Sequence, residues 1–190
     1  MFSMEDISST ETMDKLLAAT EQLIYAGGIC ATGMDAIVKS SGVARKTIYR
    51  YFRTKDDLVA EALSKRDERW MRWFIATSNK GDTPSGKLLA TFDALEEWFF
   101  TPDFRGCAFI NAAGEIGDAS TPIRAVAKEH MVKVRNFLRE LAEEYGADDP
   151  EELAMEFLIL IDGAITVALV MGNKEAARDA KKIARKLLRP

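Results

Sequence analysis

Apolar residues recur every three or four positions along most of this chain, which is the spacing of helices that are buried on one face. No stretch of the sequence shows the strict alternation of apolar and polar residues that predicts a β-strand. Proline and glycine mark helix ends: Thr83-Pro84 begins one helix and Gly146 ends another. We therefore predict an all-α fold with helices over residues 11–26, two short segments within 32–52, 55–78, 83–99, 122–145, 150–171 and 174–188, and mostly irregular structure with one short helix over 103–117.

The first of the two short segments is predicted to end in a tight turn. Thr32 is placed to cap this helix, and Asp35 stands at the capping-box spacing. Gly42 follows the helix and adopts a positive φ at low cost, as a sharp turn between two helices requires. Val43 then lies in the angle between the helices.

The second short segment, over residues 44–51, has an apolar face and a basic, aromatic face. Ala44, Ile48 and Phe52 share the apolar face, which predicts its burial. The formal net charge of the chain is −4 and residues 39–55 contribute +6, so the remainder sums to −10. A local basic excess predicts a phosphate partner, and a helix-turn-helix in the DNA major groove fits it; a solvated charged loop is the alternative. The basic residues are Lys39, Arg45, Lys46, Arg50, Arg53 and Lys55.

A third helix is predicted to begin after Thr54, with Asp57 at the capping-box position. Lys55 lies in its first turn, where the helix dipole repels a cation. This unfavourable placement indicates that Lys55 has another partner, such as a phosphate.

The run TGMDAIVKSSGVARKTIYRYFRTKDDLVAEAL, which begins at residue 32, resembles the DNA-binding domain of the TetR family of bacterial transcriptional repressors. It departs from the usual family pattern at Val38, where alanine is common, and at Ala44, where serine is common. The second departure removes a hydroxyl that could cap the helix or contact a phosphate. The matching positions are Thr32, Ile37, Gly42, Val43, Thr47, Ile48, Tyr49, Tyr51, Phe52, Thr54, Lys55 and Leu58.

The resemblance implies a helix-turn-helix domain over residues 1–57 and a ligand-binding and dimerisation domain over residues 58–190. It implies a homodimeric regulator, in the role of a repressor, that binds a pseudo-palindromic operator and is released by a small effector. Lys46 and Tyr49 would face the major groove, and phosphates would be held by Thr32, Tyr51 and Lys55. The complete set of residues expected to bind DNA is Thr32, Arg45, Lys46, Thr47, Tyr49, Arg50, Tyr51 and Lys55.

Two late helices, over 122–145 and 150–171, are candidates for a dimer interface. Residues 153–171 are apolar nearly all round, and such a helix needs partners on every side. The small residues Gly163, Ala164 and Ala168 would let a second helix approach closely. The TetR family similarly forms its dimer as a bundle of two late helices from each subunit.

Residues 70–109 are crowded with aromatic side chains, which predicts either core packing or a pocket for a largely apolar ligand. His130 and Asp162 lie on apolar stripes, and each is either packed against protein or in contact with an effector. Asn111 and Glu115 share one face if their segment is helical, and each of them is likewise either packed against protein or in contact with an effector. The residues expected to bind the effector are Trp70, Trp73, Phe74, Trp98, Phe109, Asn111, Glu115, His130 and Asp162.

Other classes of function are weaker alternatives. Cys107, His130 and Asp162 could serve as nucleophile, base and orienting group of an enzyme, but no activating motif accompanies them. A DNA-binding dimer without an effector remains open. No cofactor or metal is expected, because one histidine and two distant cysteines do not make a metal site. The polar N-terminal segment and the two cysteines indicate a cytoplasmic protein, and the apolar run over 157–171 is expected to be too short to span a membrane.

Overall fold

The structure is a computed structural model that describes residues 4–188, with side chains from residue 10 onward. Residues 1–3, which begin the polar segment that argues against a secretory signal, lie outside the described residues. The described range forms nine α-helices and no strand, which confirms the all-α prediction. The helices are α1 (Met4–Gly27), α2 (Met34–Ser41), α3 (Arg45–Tyr51), α4 (Lys55–Ser78), α5 (Pro84–Phe99), α6 (Ala108–Glu115), α7 (Pro122–Tyr145), α8 (Pro150–Met171) and α9 (Ala176–Leu187).

The chain divides into two compact units. Unit 1 comprises the chain up to Glu68 together with Ala108–Lys128, and unit 2 comprises Arg69–Cys107 and the chain from Glu129 onward. The domain boundary at residues 57 and 58 that the sequence indicated stays a prediction.

Unit 1 has an apolar core between α1, α2, α3 and the start of α4. The core is closed by partly buried side chains that include Leu23, Met34 and Phe52. Burial of these side chains is what holds short helices such as α2 and α3 in place, since isolated helices of this length are unstable in water. The fully buried members are Leu16, Leu17, Ile37, Val43, Ile48, Leu58 and Ala62.

Unit 2 contains α5, α8 and α9, which pack against one another. Alanines line the buried face of α9, so this helix lies close to its neighbours. Lys181 binds Asp93 at 2.5 Å and Arg178 binds Glu96 at 2.5 Å, joining α9 to α5 at the edge of the packed face. Asp149 caps α8 by accepting a hydrogen bond from the Glu152 N–H at 3.0 Å, as the Asp-Pro-Glu-Glu start signal indicates.

Helix α8 is the most apolar element. Its mean hydropathy reaches 2.2 over an 18-residue window, so by length and composition alone it could cross a membrane. The sequence predicts that the run over 157–171 is too short for this, but the helix that contains the run has 22 residues. The core helix of a globular protein has the same composition, and one face of α8 is buried in unit 2 by Phe157 and Ile161.

The opposite face of α8 carries an exposed stripe of Met155, Ile159, Gly163, Thr166 and Val170, which we call the α8 stripe. Ile159 is 64% exposed and Val170 75% exposed.

The small residues of α8 divide between its two faces. Ala164 and Ala168 are buried, so the expectation that they form an intersubunit contact is wrong. Both alanines fill space within the subunit's own core. Of the three small residues, only Gly163 lies on the exposed side.

Candidate nucleic-acid interface and ligand-binding residues

The turn between α2 and α3 has the geometry expected from its sequence. Gly42 has φ 69° and its N–H donates to the Val38 carbonyl at 3.0 Å, which ends α2. The hydroxyl of Ser41 accepts a hydrogen bond from the Val43 N–H at 3.2 Å. The Val43 side chain is buried, so it holds the angle between α2 and α3.

The start of α2 differs from the prediction. Its N-cap is Gly33 and no side chain caps it, so the capping box of Thr32 and Asp35 is wrong. The buried Thr32 hydroxyl instead donates to the Gly28 carbonyl at 2.7 Å, one turn back along the chain. The Asp35 carboxylate instead forms an ion pair with Arg45 on α3.

Helix α3 presents a basic and aromatic surface to solvent. Ile48 is 1% exposed and anchors the helix in the core, and Phe52 is partly buried. Ala44 is exposed, which corrects its assignment to the apolar face: it is the N-cap, outside the first turn of the helix. Ala44 has no hydroxyl with which to cap α3, and no side chain caps this end of the helix, as the departure from serine predicts. The exposed residues of α3 are Arg45, Lys46, Tyr49, Arg50 and Tyr51, and Thr47 is half-buried.

The exposed side chains at the end of α3 hold one another in place. The Arg50 guanidinium donates to the Tyr51 hydroxyl at 3.0 Å and lies 4.9 Å from the centre of the Tyr51 ring. A guanidinium fixed against a tyrosine keeps its charge while it loses rotamer freedom, which lowers the entropy lost when it binds a phosphate.

The N-terminus of α4 confirms the predicted capping box. The Thr54 N–H donates to the Asp57 carboxylate at 3.0 Å, and the Asp57 N–H donates to the Thr54 hydroxyl at 3.1 Å. Lys55 has partners within the protein: its ammonium donates to the carbonyl oxygens of Ile29 at 2.9 Å and Thr32 at 3.1 Å. These two bonds stabilise the Lys55 cation at this end of the helix, so its position there does not require a phosphate.

Six of the residues expected to bind an effector lie in unit 2, and four of these are brought together around Trp70. The Trp70 ring stacks on Phe74 at 4.7 Å and meets the edges of Trp98 at 5.8 Å and His130 at 5.2 Å. Trp73 lies 6.0 Å from Trp70 on the same helix. The buried indole N–H of Trp70 has no hydrogen-bond acceptor among the described residues, although buried polar groups are usually paired.

Asp162 lies on α8, in unit 2, and is only partly exposed. Burial raises the pKa of its carboxyl to about 6, because desolvation disfavours the charged form. At neutral pH the ionised carboxylate therefore lowers the free energy of unfolding.

The remaining three residues lie on α6 in unit 1. Phe109 is buried. Asn111 and Glu115 fall on one face of α6 and line a cavity of about 340 Å³ within unit 1. The cavity also contains Glu21, Tyr25 and Arg66, which sequence reasoning missed. No local pattern could have found them, because Glu21 and Arg66 are 45 residues apart and meet only in the folded chain.

The described residues contain no group of three histidine, cysteine, aspartate or glutamate side chains placed to hold a metal ion. Neither cysteine forms a disulfide; Cys30 is exposed and Cys107 is buried.

Two family models match the chain. The model described as bacterial regulatory proteins of the tetR family matches residues 16–62, and the model described as the tetracyclin repressor-like C-terminal domain matches residues 84–184. The first match contains α2, α3 and the capping box of α4, and the second contains most of unit 2.

Individual relatives match over nearly the whole chain or over part of it. The HTH-type transcriptional regulator YjdC of Escherichia coli is 24% identical over 179 residues, which cover 93% of each chain. The HTH-type transcriptional repressor KstR of Rhodococcus jostii is 34% identical over 86 residues, or 44% of this chain and 37% of KstR. The crystal structure of a TetR-family transcriptional regulator from Streptomyces coelicolor is 27% identical and has a TM-score of 0.85 over 94% of this chain and 95% of its own.

Proposed function

Because this chain belongs to the TetR family, we propose that it acts as a homodimeric repressor that binds a pseudo-palindromic operator and leaves it when a small, largely apolar effector binds. The chain is a DNA-binding transcriptional regulator, and its relatives are regulators rather than enzymes. This sets aside the alternative in which Cys107, His130 and Asp162 form a catalytic site. The repressor role, the dimer, the operator symmetry and the effector are the proposed parts.

One observation carries the proposal about DNA: α3 is fixed by Ile48 on one side and exposes Lys46, Tyr49 and Arg50 on the other. A helix buried on one face and basic on the other is the form of a recognition helix that enters the major groove. Lys46 and Tyr49 would read base edges, with Arg45 and Thr47 nearby. Tyr51, Arg50 and Lys55 would hold the phosphate backbone, and the buried Thr32 would support this surface through the carbonyl that binds Lys55.

Selection of bound sequences from a random pool of double-stranded DNA tests this proposal. We expect enrichment of an inverted repeat, because each α3 of a dimer reads one half-site about one helical turn from the other. Recovery of a single unrepeated motif would contradict the dimeric reading. Recovery of no motif would contradict the role of α3 in sequence recognition.

The α8 stripe supports the proposed dimer. An exposed row of mostly apolar residues opposite the buried face of a helix is the kind of surface that a second subunit covers. Gly163 lies in the middle of the stripe and an added Cβ would meet nothing within 4 Å, so the subunit leaves open space there for a close-packed partner. The α8 stripe of a second copy is the occupant that we propose.

The aromatic cluster around Trp70 supports the proposed effector. Its rings are largely apolar, and the unpaired Trp70 N–H is a donor that an acceptor atom on a ligand would satisfy. A regulator that acts without an effector is the alternative, in which the same rings are only core. The cytoplasm is the proposed location, where DNA is accessible and where two cysteines outside any disulfide remain reduced.

A further inference from the structure

Unit 1 contains a cavity of about 340 Å³, and none of its lining residues belongs to the aromatic cluster around Trp70. It lies between α1, the α1–α2 loop, α4 and α6. Its apolar walls come from Ile24, Ile29, Leu63, Ala108 and Ala112. The volume is at the lower end of the range for small-molecule sites, and about twice that of a roughly 150 Å³ cavity that holds benzene.

The one cation that lines this cavity is already neutralised. The Arg66 guanidinium binds the Glu21 carboxylate at 2.8 Å, and both side chains are largely buried. The same guanidinium lies 3.8 Å from the centre of the Tyr25 ring. A carboxylate and an aromatic face together hold Arg66 in a fixed position. An anionic ligand would have to compete with Glu21 for this guanidinium.

Glu115 brings a second carboxylate to the cavity, and it has no cationic partner among the described residues. Its Oε2 atom accepts a hydrogen bond from the Cys30 N–H at 2.9 Å. Gly28, with φ 92°, comes so close that a Cβ added there would lie 3.0 Å from the Glu115 carboxylate. The backbone of the α1–α2 loop thus fixes the carboxylate in place. Glu21 and Arg66 cancel, so the charged lining of the cavity sums to −1.

We propose that this cavity binds a small organic amine, with its apolar body against Ile24, Leu63 and Ala112 and its ammonium group on Glu115. Glu115 is exposed to solvent on one side. A carboxylate without an ion pair, held beside the apolar part of the cavity wall, favours a ligand that is cationic at one end and hydrophobic at the other. The inference concerns binding itself and does not depend on the proposed operator or on release from DNA.

Three probes with the same apolar body and different head groups test the proposal: 3-phenylpropylamine, 3-phenylpropanol and 3-phenylpropanoate. Binding to the full-length protein is measured by calorimetry without DNA. We expect the amine to bind most tightly and the carboxylate least. Glu115→Gln should weaken amine binding by about tenfold and leave alcohol binding unchanged, because the amide retains an acceptor for the Cys30 N–H but loses the charge.

Glu61→Gln is the matched control, because it removes the same charge from an exposed position on α4 outside the cavity lining. It should leave the affinities of all three probes unchanged. Ala112→Leu fills the cavity and should abolish binding of the amine and the alcohol alike, with thermal melting as the check that the variant is folded. Equal binding of amine, alcohol and carboxylate, or an amine affinity that Glu115→Gln leaves intact, would overturn the proposal.

Discussion

The ammonium group of Lys55 lies 3.1 Å from the backbone carbonyl oxygen of Thr32, so two residues expected to hold DNA phosphates are bound to each other. Together with the bond to Ile29, this contact fixes the α1–α2 loop to the first turn of α4. An ammonium group has three donors, and these two carbonyls use two of them. Lys55 therefore has a structural role, and a contact with DNA would be a second role in addition to it.

Lys55→Met should separate the two roles. We expect a loss of about 1–3 kcal/mol in the free energy of unfolding, because two charge-assisted hydrogen bonds disappear. If Lys55 also contacts a phosphate, operator affinity should fall on all sequences and the slope of log affinity against log salt should flatten by about 0.9. Lys65→Met, which removes an exposed charge from the same helix, is the control. An unchanged salt slope would leave Lys55 with the structural role alone.

Lys46→Ala and Tyr49→Ala should alter sequence preference rather than general affinity. Both side chains are exposed on α3, and loss of a good base contact costs about 1–3 kcal/mol at the base pair concerned. Competition binding with single-base variants of the selected operator measures this. Lys182→Ala, which removes an exposed charge on α9, should have no such effect. Unaltered preference in both α3 variants would refute the placement of the recognition face.

Ile159→Arg should disrupt the dimer, because it places a charge in the middle of the α8 stripe. We expect a monomer by light scattering, and weaker operator binding because two half-sites are no longer read jointly. Ile183→Arg is the matched control, since Ile183 is an exposed apolar residue, 48% accessible, on α9. A dimer that survives Ile159→Arg but not Ile183→Arg would place the interface on α9. Ala168→Arg is not a suitable test, because Ala168 belongs to the core of the subunit.

Trp70→Phe should weaken effector binding and leave the fold largely intact. The phenyl ring retains stacking against Phe74 but removes the unpaired N–H, so any ligand that accepts this hydrogen bond loses it. An apolar effector should change tryptophan fluorescence and release operator DNA at matching concentrations, with a coupling of about 1–3 kcal/mol. Trp73→Phe also removes an indole from the cluster, but not the buried unpaired N–H, so it should weaken binding of such a ligand less than Trp70→Phe does. A polar metabolite that releases DNA when a broad hydrophobic panel does not would show that the cluster is only core.

Asp162→Asn should make the protein more stable at about pH 7.5. The pKa of Asp162 in the folded protein, about 6, lies above its value in the unfolded chain. With respect to Asp162, the protein is therefore most stable below about pH 4, where this group is protonated in both states, and loses this stability as the pH rises through 6. Since the carboxyl remains partly solvent-accessible, we expect a gain of about 1–2 kcal/mol by urea unfolding at fixed protein concentration. The gain should vanish near pH 4. Asp148→Asn, which removes a carboxylate from an exposed loop position, is the control.

Local signals in the sequence predicted the helix-turn-helix well. Gly42 marks the turn and Thr54 with Asp57 caps α4, because each of these interactions spans only a few residues. The same approach was wrong for Thr32, whose hydroxyl bonds backward to Gly28, because both a cap and a backward bond fit a threonine before a helix.

Contacts distant in sequence could not be predicted. Glu115 meets Cys30 across 85 residues, and only the fold brings them together. The two faces of α8 were also indistinguishable, because both are apolar and periodicity marks a buried face only when the other is polar.

The basic surface around α3 has a consequence for how the protein would search a genome. Residues 39–55 carry +6 and the remainder of the chain carries −10, so most of the molecule repels the phosphate backbone. Encounters through other surfaces would be electrostatically unfavourable and short-lived, while those through α2 and α3 would persist. The acidic remainder then favours the orientations in which α2 and α3 face the DNA. It thereby limits unproductive adsorption to the large excess of non-operator DNA.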